Sequence, residues 1–557
     1  MGRFATLALL LQVGAATTTA PPNIILFVVD DLGYGDLGFT GNPSTRTPNL
    51  DRLAFQGRRL TNWYSGAAVC SASRTALLTG RQPPRVGMVG VLNSLSKVGL
   101  PLSEVTIAEE LRGKAGYSTL AVGKWHQGQQ PQYLPAARGF DEFYGLPFSV
   151  DDGIGFISSC GAALSVARTT PTPVGLGPGL PLPRLRQANG TNVIEQQPAD
   201  LTPLSEGLVN HTIEFLRRKL GKKAAKKDAI ASSSPSSSSS SSSSPSFSGV
   251  DSPVFVWFAF GHVHTTGVDQ MQYSGCAYQG CTPRGAFGDG LAEVDGAVGA
   301  VVAEVARLGH ARNTLTIFVS DNGPALRWGV DAGSPGIFAG RAAVDARGDP
   351  YQNTGKGSTW EGGIRMPAFA YWPGTVEAGS VTGTVVSSMD IFPALVSLVG
   401  IERNTTVVID GNESLLDAIL LPSAEGDARS GHAFLPFYNN VDIANASTLI
   451  FAARYGPYKA HWITSPGLLV GEMAEMLYHD PPIVFDVEVD PSEAFPLEEL
   501  PDGLLHDLAQ AKSLYEAQLD PIAIDPAYGY EWALCCGIGC TPDEDGSCAC
   551  ECSEVVF

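Results

Sequence analysis

At 557 residues the chain is long enough for two or more domains and a large core, which excludes a miniature scaffold held together by disulfides alone. Acidic residues outnumber basic ones, 56 to 36, for a net charge of −20. Nucleic acid and anionic membrane both require a basic surface and are excluded as partners.

The start, MGRFATLALLLQVGAATTTA, has one basic residue, an apolar stretch from Phe4 to about Val13 and small residues after it. That is the pattern of a secretory signal peptide over residues 1–20, with cleavage near Ala16 to Ala20. No later run reaches the ~20 apolar residues a membrane span needs. The expectation is an exported chain without a transmembrane anchor, in the secretory pathway and then lysosomal, vacuolar or extracellular. Five N-x-S/T sequons, at Asn189, Asn210, Asn404, Asn412 and Asn445, suit a glycoprotein.

The runs NIILFVVDD, YSTLAVGKWH, SPVFVWFAFGHVH and TLTIFVSDNG are short, nearly all apolar and β-branched, as in strands of a parallel sheet buried on both faces. Amphipathic helical patterns such as EVTIAEELRGKAG and GDGLAEVDGAVGAVVAEVARLG lie between them. An α/β, doubly wound domain follows, over about residues 21–430. Within it, RRKLGKKAAKK reads as a solvated basic helix end, and the serine tract inside residues 228–250 reads as a disordered insertion. From about 431 to 557, STLIFAARYGPYKAHWIT and PPIVFDVEVDPSE predict a smaller, mostly antiparallel domain.

Six of the ten cysteines crowd the tail over 535–552, which reads as a disulfide knot of open connectivity, with zinc binding the competing reading. Cys276 and Cys281 are spaced to close one small loop, which leaves Cys70 and Cys160 over.

Each apolar run ends in polar groups: Asp30 and Asp31; Lys124 and His126; His262 and His264; Asp321 and Asn322. In an open α/β sheet such ends converge on one crevice. Asp30, Asp31, Asp321 and Asn322 offer only oxygen donors, a set that selects calcium or magnesium. Lys124, and Lys356 in NTGKGSTWEGG, add positive charge for an anionic substrate, and His126 and His264 offer proton transfer.

The segment from Cys70 to Arg74, CSASR, continuing TALLTGR, resembles the signature of the formylglycine-dependent sulfatase family. PPNIILFVVDDLGYGDLG, TPNLDRLA, GKWH, DNGP, GKGSTWEGGIRMPAFAYWPG and the cysteine-rich tail are similar as well, in one order over most of the mature chain; within the family the likeness is to the arylsulfatases. The resemblance implies the alkaline-phosphatase-like sulfatase fold, a large mostly parallel sheet flanked by helices with a smaller C-terminal antiparallel sheet. It implies hydrolysis of a sulfate monoester to an alcohol and inorganic sulfate, and oxidation of Cys70 to formylglycine by the formylglycine-generating enzyme. One Ca2+ or Mg2+ would be held by Asp30, Asp31, Asp321, Asn322 and the modified Cys70. Arg74 would hold the aldehyde hydrate, and Lys124, Ser149, His264 and Lys356 would bind the sulfate oxygens. His264, helped by Lys356, would protonate the leaving alcohol, and His126 would be the base that regenerates the aldehyde.

Three departures stand out: Ala72 within the signature, Thr265 and Thr266 after His264 where a proline is usual, and Thr354 where the arylsulfatase pattern has a cysteine. The alternatives are a phosphodiesterase or phosphonate hydrolase of the same superfamily, and an inactive ligand-binding glycoprotein. The natural ester, any homo-oligomer and the choice between calcium and magnesium stay open at this level.

Overall fold

The computed structural model describes residues 20–557 except 159, 161–179, 222–251, 267–271, 345–346, 349–352, 404–405, 423–430, 440–448, 469–474, 523–527, 530–531, 533, 536, 539–554 and 557. The leader, the serine tract, nearly all of the cysteine-rich tail, Asn404 and Asn445 therefore lie outside the described residues.

The main sheet is built from β1 (Asn23–Val29), β2 (Arg58–Leu60), β3 (Ser118–Lys124), β4 (Glu142–Leu146), β5 (Arg184–Ala188), β6 (Thr191–Gln196), β7 (Val254–Ala259), β8 (Thr314–Ser320), β9 (Ala368–Tyr371) and β10 (Ser380–Thr382). The order is β10-β2-β9-β8-β1-β7-β3-β4-β5-β6, with Val555–Val556 pairing beyond β6 as an eleventh strand. The four apolar runs form β1, β3, β7 and β8, side by side and parallel with β4, whereas β9 pairs antiparallel with β8 on one flank and β5 pairs antiparallel with both β4 and β6 on the other.

Every residue of β1 is buried, because both faces are covered. Ile24, Leu26 and Val28 join one core with Ile107 and Leu111 of helix α3 (Ile107–Ala115) and Ile391 and Leu395 of α6 (Ile391–Leu398). Ile25, Phe27 and Val29 face the opposite core, under α1 (Pro48–Gln56), α4 (Leu204–Leu220) and α5 (Gly285–Arg307). The period-2 alternation of side chains thus serves two cores at once. Helix α3 starts at a capping box in which Thr106 accepts from Glu109 N–H and Glu109 accepts from Thr106 N–H. At the end of α4, Arg217 and Arg218 pair with Glu304 and Glu142 at 2.7 Å each.

The C-terminal strands β11 (Leu435–Tyr438), β12 (Ile450–Tyr455), β13 (Tyr458–Thr464) and β14 (Leu477–Asp486) form a separate antiparallel sheet in sequence order. Helix α7 (Leu504–Glu516) lays Leu504 and Leu508 on its Ala460 and Val484.

A buried ionic joint ties this sheet to the loop that carries Lys356. Glu361 accepts from Lys459 Nζ at 2.9 Å, Arg365 Nη1 at 3.0 Å and the Tyr64 hydroxyl at 2.9 Å. Glu493 takes Lys459 at 3.0 Å and His461 at 2.8 Å, and accepts the Glu361 backbone N–H at 2.7 Å. Trp360 stacks on His461 with centroids 4.5 Å apart.

Burial pushes the Glu361 carboxyl up, but Lys459, Arg365 and Arg454 outweigh it and bring it down to about 2 from 4.5. The unfolded chain binds this proton near pH 4.5 and the folded one only near pH 2. The joint's contribution is therefore complete above pH 4.5 and is lost as pH falls toward 2. Glu361→Gln, which strips one partner from a buried pair, is expected to cost about 3–5 kcal/mol in urea unfolding at pH 7. The wild-type advantage should shrink at pH 3, and a variant as stable as wild type at pH 7 would show that the joint carries no stability.

Candidate active site

The carboxyl ends of β1, β8, β3 and β7 meet, and their backbones continue to pair one step past the strands. Asp30 N–H donates to the His262 carbonyl at 2.8 Å, Val263 N–H to the Asp30 carbonyl at 2.7 Å, and Asp321 N–H to the Val29 carbonyl at 3.0 Å. Asp31 then turns into the left-handed region at φ 59°, as does His126 at φ 59°. Such a backbone costs a non-glycine residue about 1–3 kcal/mol and persists only where the surroundings enforce it.

Cys70 opens α2 (Cys70–Thr79), a helix whose ten residues are all buried. Its N-terminal end points partial positive charge at residue 70. The helix is tethered to the strand ends: Ser73 Oγ donates to the Asp321 carbonyl, and Arg74 donates through Nε to Asp321 Oδ2 at 2.9 Å and through Nη1 to the Lys124 carbonyl at 2.8 Å. Arg74 Nη2 lies 2.8 Å from Asp321 Oδ2 and 3.7 Å from Asp30 Oδ1.

The Lys356 loop reaches the crevice through close backbone approaches. Gly323 N–H donates to the Gly363 carbonyl at 3.0 Å, Lys356 N–H to the Pro324 carbonyl at 2.9 Å, and Gly357 N–H to the Ala68 carbonyl at 2.8 Å. A Cβ on Gly323 would lie 2.1 Å from the Gly362 carbonyl oxygen, so only glycine permits this contact. Thr354 Oγ1 donates to the Ala339 carbonyl at 2.9 Å, a local bond at the position where the arylsulfatase pattern has a cysteine.

The charges interlock. Lys124 Nζ bonds Asp30 Oδ2 at 2.5 Å and Ser149 Oγ at 2.9 Å; Lys356 Nζ bonds Asp31 Oδ1 at 2.6 Å; Asn322 Nδ2 donates to Asp31 Oδ1 at 2.7 Å. His264 Nε2 lies 3.5 Å from Asp31 Oδ2, while its Nδ1 bonds the Thr265 carbonyl at 2.7 Å and lies 3.8 Å from Asp151. His126 Nε2 bonds the Leu92 carbonyl at 2.6 Å and lies 3.4 Å from Asp152. All eleven predicted catalytic, substrate-binding and metal positions thus meet in one buried cluster: Asp30, Asp31, Cys70, Arg74, Lys124, His126, Ser149, His264, Asp321, Asn322 and Lys356.

Three oxygens in this cluster, Asp30 Oδ1, Asp31 Oδ2 and Asn322 Oδ1, are buried without a hydrogen-bond partner. Asp30, Asp31 and His264 can each offer an atom within 4.8 Å of the others. Orphaned hard oxygens beside buried carboxylates are what a divalent cation satisfies, so the residues fit one. The electrostatics agree. Burial raises Asp321, Asp30 raises it further, and Arg74 only partly offsets them, leaving it at about 7. For Asp30 burial is outweighed by Lys124, His264, Arg74 and Lys356, which hold it far below its ordinary value. Burial would also raise the Cys70 thiol, yet Lys124, His126 and Lys356 bring it down to about 6, so residue 70 sits where negative charge is favoured.

Asp151 and Asp152, which back the two site histidines, were missed as participants. They follow Ser149 in PFSVDD, the same doubled acid that marks the end of β1. His262 stands apart from the crevice, bonding Ser205 at 3.1 Å and Glu293 at 3.0 Å through Nε2, while its carbonyl supports Asp30. One cysteine expectation is corrected: Cys276 pairs with Cys160, their Cα atoms 5.2 Å apart, and not with Cys281. The Cys281 thiol instead faces Asp289 of α5 and is free.

Residues 22–152 and 246–401 match the family described as Sulfatase, and residues 430–550 match the C-terminal region of aryl-sulfatase. Arylsulfatase A of Homo sapiens is 36% identical, covering 97% of this chain and 98% of that protein. Steryl-sulfatase of Mus musculus is 33% identical over 87% of this chain and 79% of that protein. The crystal structure of the PsFucS1 sulfatase from Pseudoalteromonas sp. superposes with a TM-score of 0.70 at 25% identity, covering 94% of this chain and 96% of that one.

Asn322 is the one neutral member of the oxygen cluster, so Asn322→Ala removes a donor without stranding a buried charge. Calorimetric titration with Ca2+ or Mg2+ should find affinity weakened at least about tenfold, since even outer-shell partners of a bound ion carry that much. Unchanged affinity would remove Asn322 from the cation site.

Proposed function

Since the chain belongs to the sulfatase family and is an enzyme of sulfate-ester hydrolysis, we propose that its nucleophile is Cys70 oxidised to formylglycine, working beside a bound divalent cation. The observation that carries this reading is the convergence on Cys70 of Lys124, His126 and Lys356 next to three unshared buried oxygens. In this structure Sγ stands in for the oxygens of the hydrated aldehyde, which the formylglycine-generating enzyme would install during passage through the secretory pathway. A Ca2+ or Mg2+ held by Asp30, Asp31, Asp321, Asn322 and residue 70 would acidify the attacking hydroxyl and balance charge on the sulfuryl group.

The chain's own groups divide the remaining work. Lys124, with Ser149 at 2.9 Å, and Lys356 bind the sulfate oxygens and stabilise the charge that builds on them. Arg74 braces Asp321 and presents Nη2, which makes no hydrogen bond of its own, to the hydroxyls at residue 70. His264 donates its Nδ1–H to the Thr265 carbonyl, which leaves Nε2, 3.5 Å from Asp31, as the atom that passes a proton to the leaving alcohol, helped by Lys356. His126 donates Nε2–H to the Leu92 carbonyl, which leaves Nδ1 unpartnered as the acceptor that takes the second hydroxyl's proton. Burial lowers the His126 pKa, but Cys70 and Asp152 carry it up to about 9. The Cys70 share of that rise disappears once the thiol is oxidised.

The same reading places the protein in the secretory pathway, lysosomal, vacuolar or outside the cell, with a catalytic domain over 21–430 and a smaller domain over 431–557. Asn189 and Asn210 are exposed and suited to carry glycans, as is the half-buried Asn412. Among the described residues no helix is long and apolar enough to cross a membrane.

Two measurements test this account. A serine at position 70 has one hydroxyl and no second on the same carbon, so Cys70→Ser should complete at most one turnover and gain a stable sulfate ester on the peptide from Val69 to Arg74. Sustained turnover by that variant would overturn the diol mechanism. His264→Ala should slow alkyl sulfates by about 10²–10⁴-fold but nitrophenyl sulfates by far less, because a good leaving group needs little protonation. Equal losses on both would make His264 a sulfate-binding group only.

A further inference from the structure

The turn that follows the Asp321–Asn322 strand end carries an arginine for which the reaction above has no use. The turn, Leu326–Asp331, is wedged between the two loops that bring His264 and Lys356 to the crevice. On one side Lys356 N–H bonds the Pro324 carbonyl at 2.9 Å; on the other, Gln272 Nε2 bonds the Val263 carbonyl at 2.5 Å and the Asp331 carbonyl at 3.1 Å. Arg327 lies over its buried neighbour Trp328, with the guanidinium carbon 4.5 Å from the ring centroid.

Among the described residues Arg327 has no ion-pair or hydrogen-bond partner, and its Nε is buried without an acceptor. Arg74, Arg85 and Arg365, by contrast, each meet a carboxylate at 2.8–3.0 Å. The negative charges that bear on Arg327 belong to the active site, Asp151, Asp31 and Cys70, and burial outweighs them, so its pKa is lowered. Those charges are already engaged: Asp31 by Lys356, Asp151 by His264. A guanidinium nitrogen that gives up water without gaining an acceptor, as Nε does in this half-buried side chain, is costly unless the acceptor arrives with a ligand.

We propose that Arg327 is a specificity-determining residue that receives a second anionic group of the substrate, a carboxylate or a further sulfate, beside the scissile sulfate. The planar fork, which lies over Trp328, matches either group in bidentate fashion. The substrate class is then a sulfate ester carrying at least two negative charges. This inference rests on the sulfatase reading, since it places the scissile sulfate at residue 70.

The test uses non-hydrolysable sulfonates with the oxidised, Ca2+-loaded protein: benzenesulfonate, with one charge, and 3-sulfobenzoate, with two. By calorimetry the wild type should bind 3-sulfobenzoate about tenfold more tightly, the worth of one charge-assisted contact. Arg327→Met should bring the ratio of the two affinities close to one, and Arg327→Lys should restore part of it. A wild type that does not distinguish the ligands, or an Arg327→Met variant that weakens both alike, would overturn the proposal. Wild-type turnover of 4-nitrophenyl sulfate is read separately: its absence would sink the sulfatase reading, whereas the affinity ratio needs no turnover.

Discussion

Three carboxylates, Asp30, Asp31 and Asp321, are buried at the ends of two adjacent parallel strands. Carboxylates out of water are stable only when positive charge meets them at close range. Lys124, Lys356 and Arg74 each supply it, at 2.5–2.8 Å. That pairing is incomplete, since one oxygen on Asp30 and one on Asp31 stay without a hydrogen bond, as does the Asn322 oxygen. The incompleteness is where a divalent cation fits, and the same lysines that neutralise the carboxylates also act on residue 70.

Holding such a cluster together requires rigid supports on every side. The parallel centre of the sheet fixes the aspartates, the fully buried α2 fixes Cys70 and Arg74, and the glycine contacts at 323 and 355 press the Lys356 loop against the Asn322 turn. The antiparallel C-terminal sheet enters the same chain of supports through Lys459, Glu361 and Glu493, which lie in the core beside Trp360. It therefore does structural work for the site although none of the proposed catalytic groups comes from it.

Much of this was legible in the sequence because buried parallel strands are written as unbroken apolar runs, and where VVDD, VGKWH, GHVH and VSDN interrupt those runs the chain leaves the sheet. Long-range pairings were not legible. Glu361 and Lys459 are 98 residues apart and Cys160 and Cys276 are 116 apart, and no local pattern links either pair. Cys281, five positions from Cys276, looked like the nearer partner; the turn between them points its thiol at Asp289 instead. The tautomer of His264 was equally out of reach, because it is set by the Thr265 carbonyl, a backbone contact that no residue pattern announces. Arg327 carried no sequence signal beyond standing five residues after Asn322, since what distinguishes it is a missing partner.

On the proposed reading, residue 70 is a chemically altered cysteine whose surroundings are built for an anion and a cation together. Peptide mass spectrometry across Val69 to Arg74, on protein made in a secretory host, tests it most directly. The account predicts a peptide lighter than the encoded one, with carbonyl oxygen in place of the thiol and one hydrogen, and reactive toward hydrazides. A fully active sulfatase in which that peptide carries an unmodified thiol would contradict it.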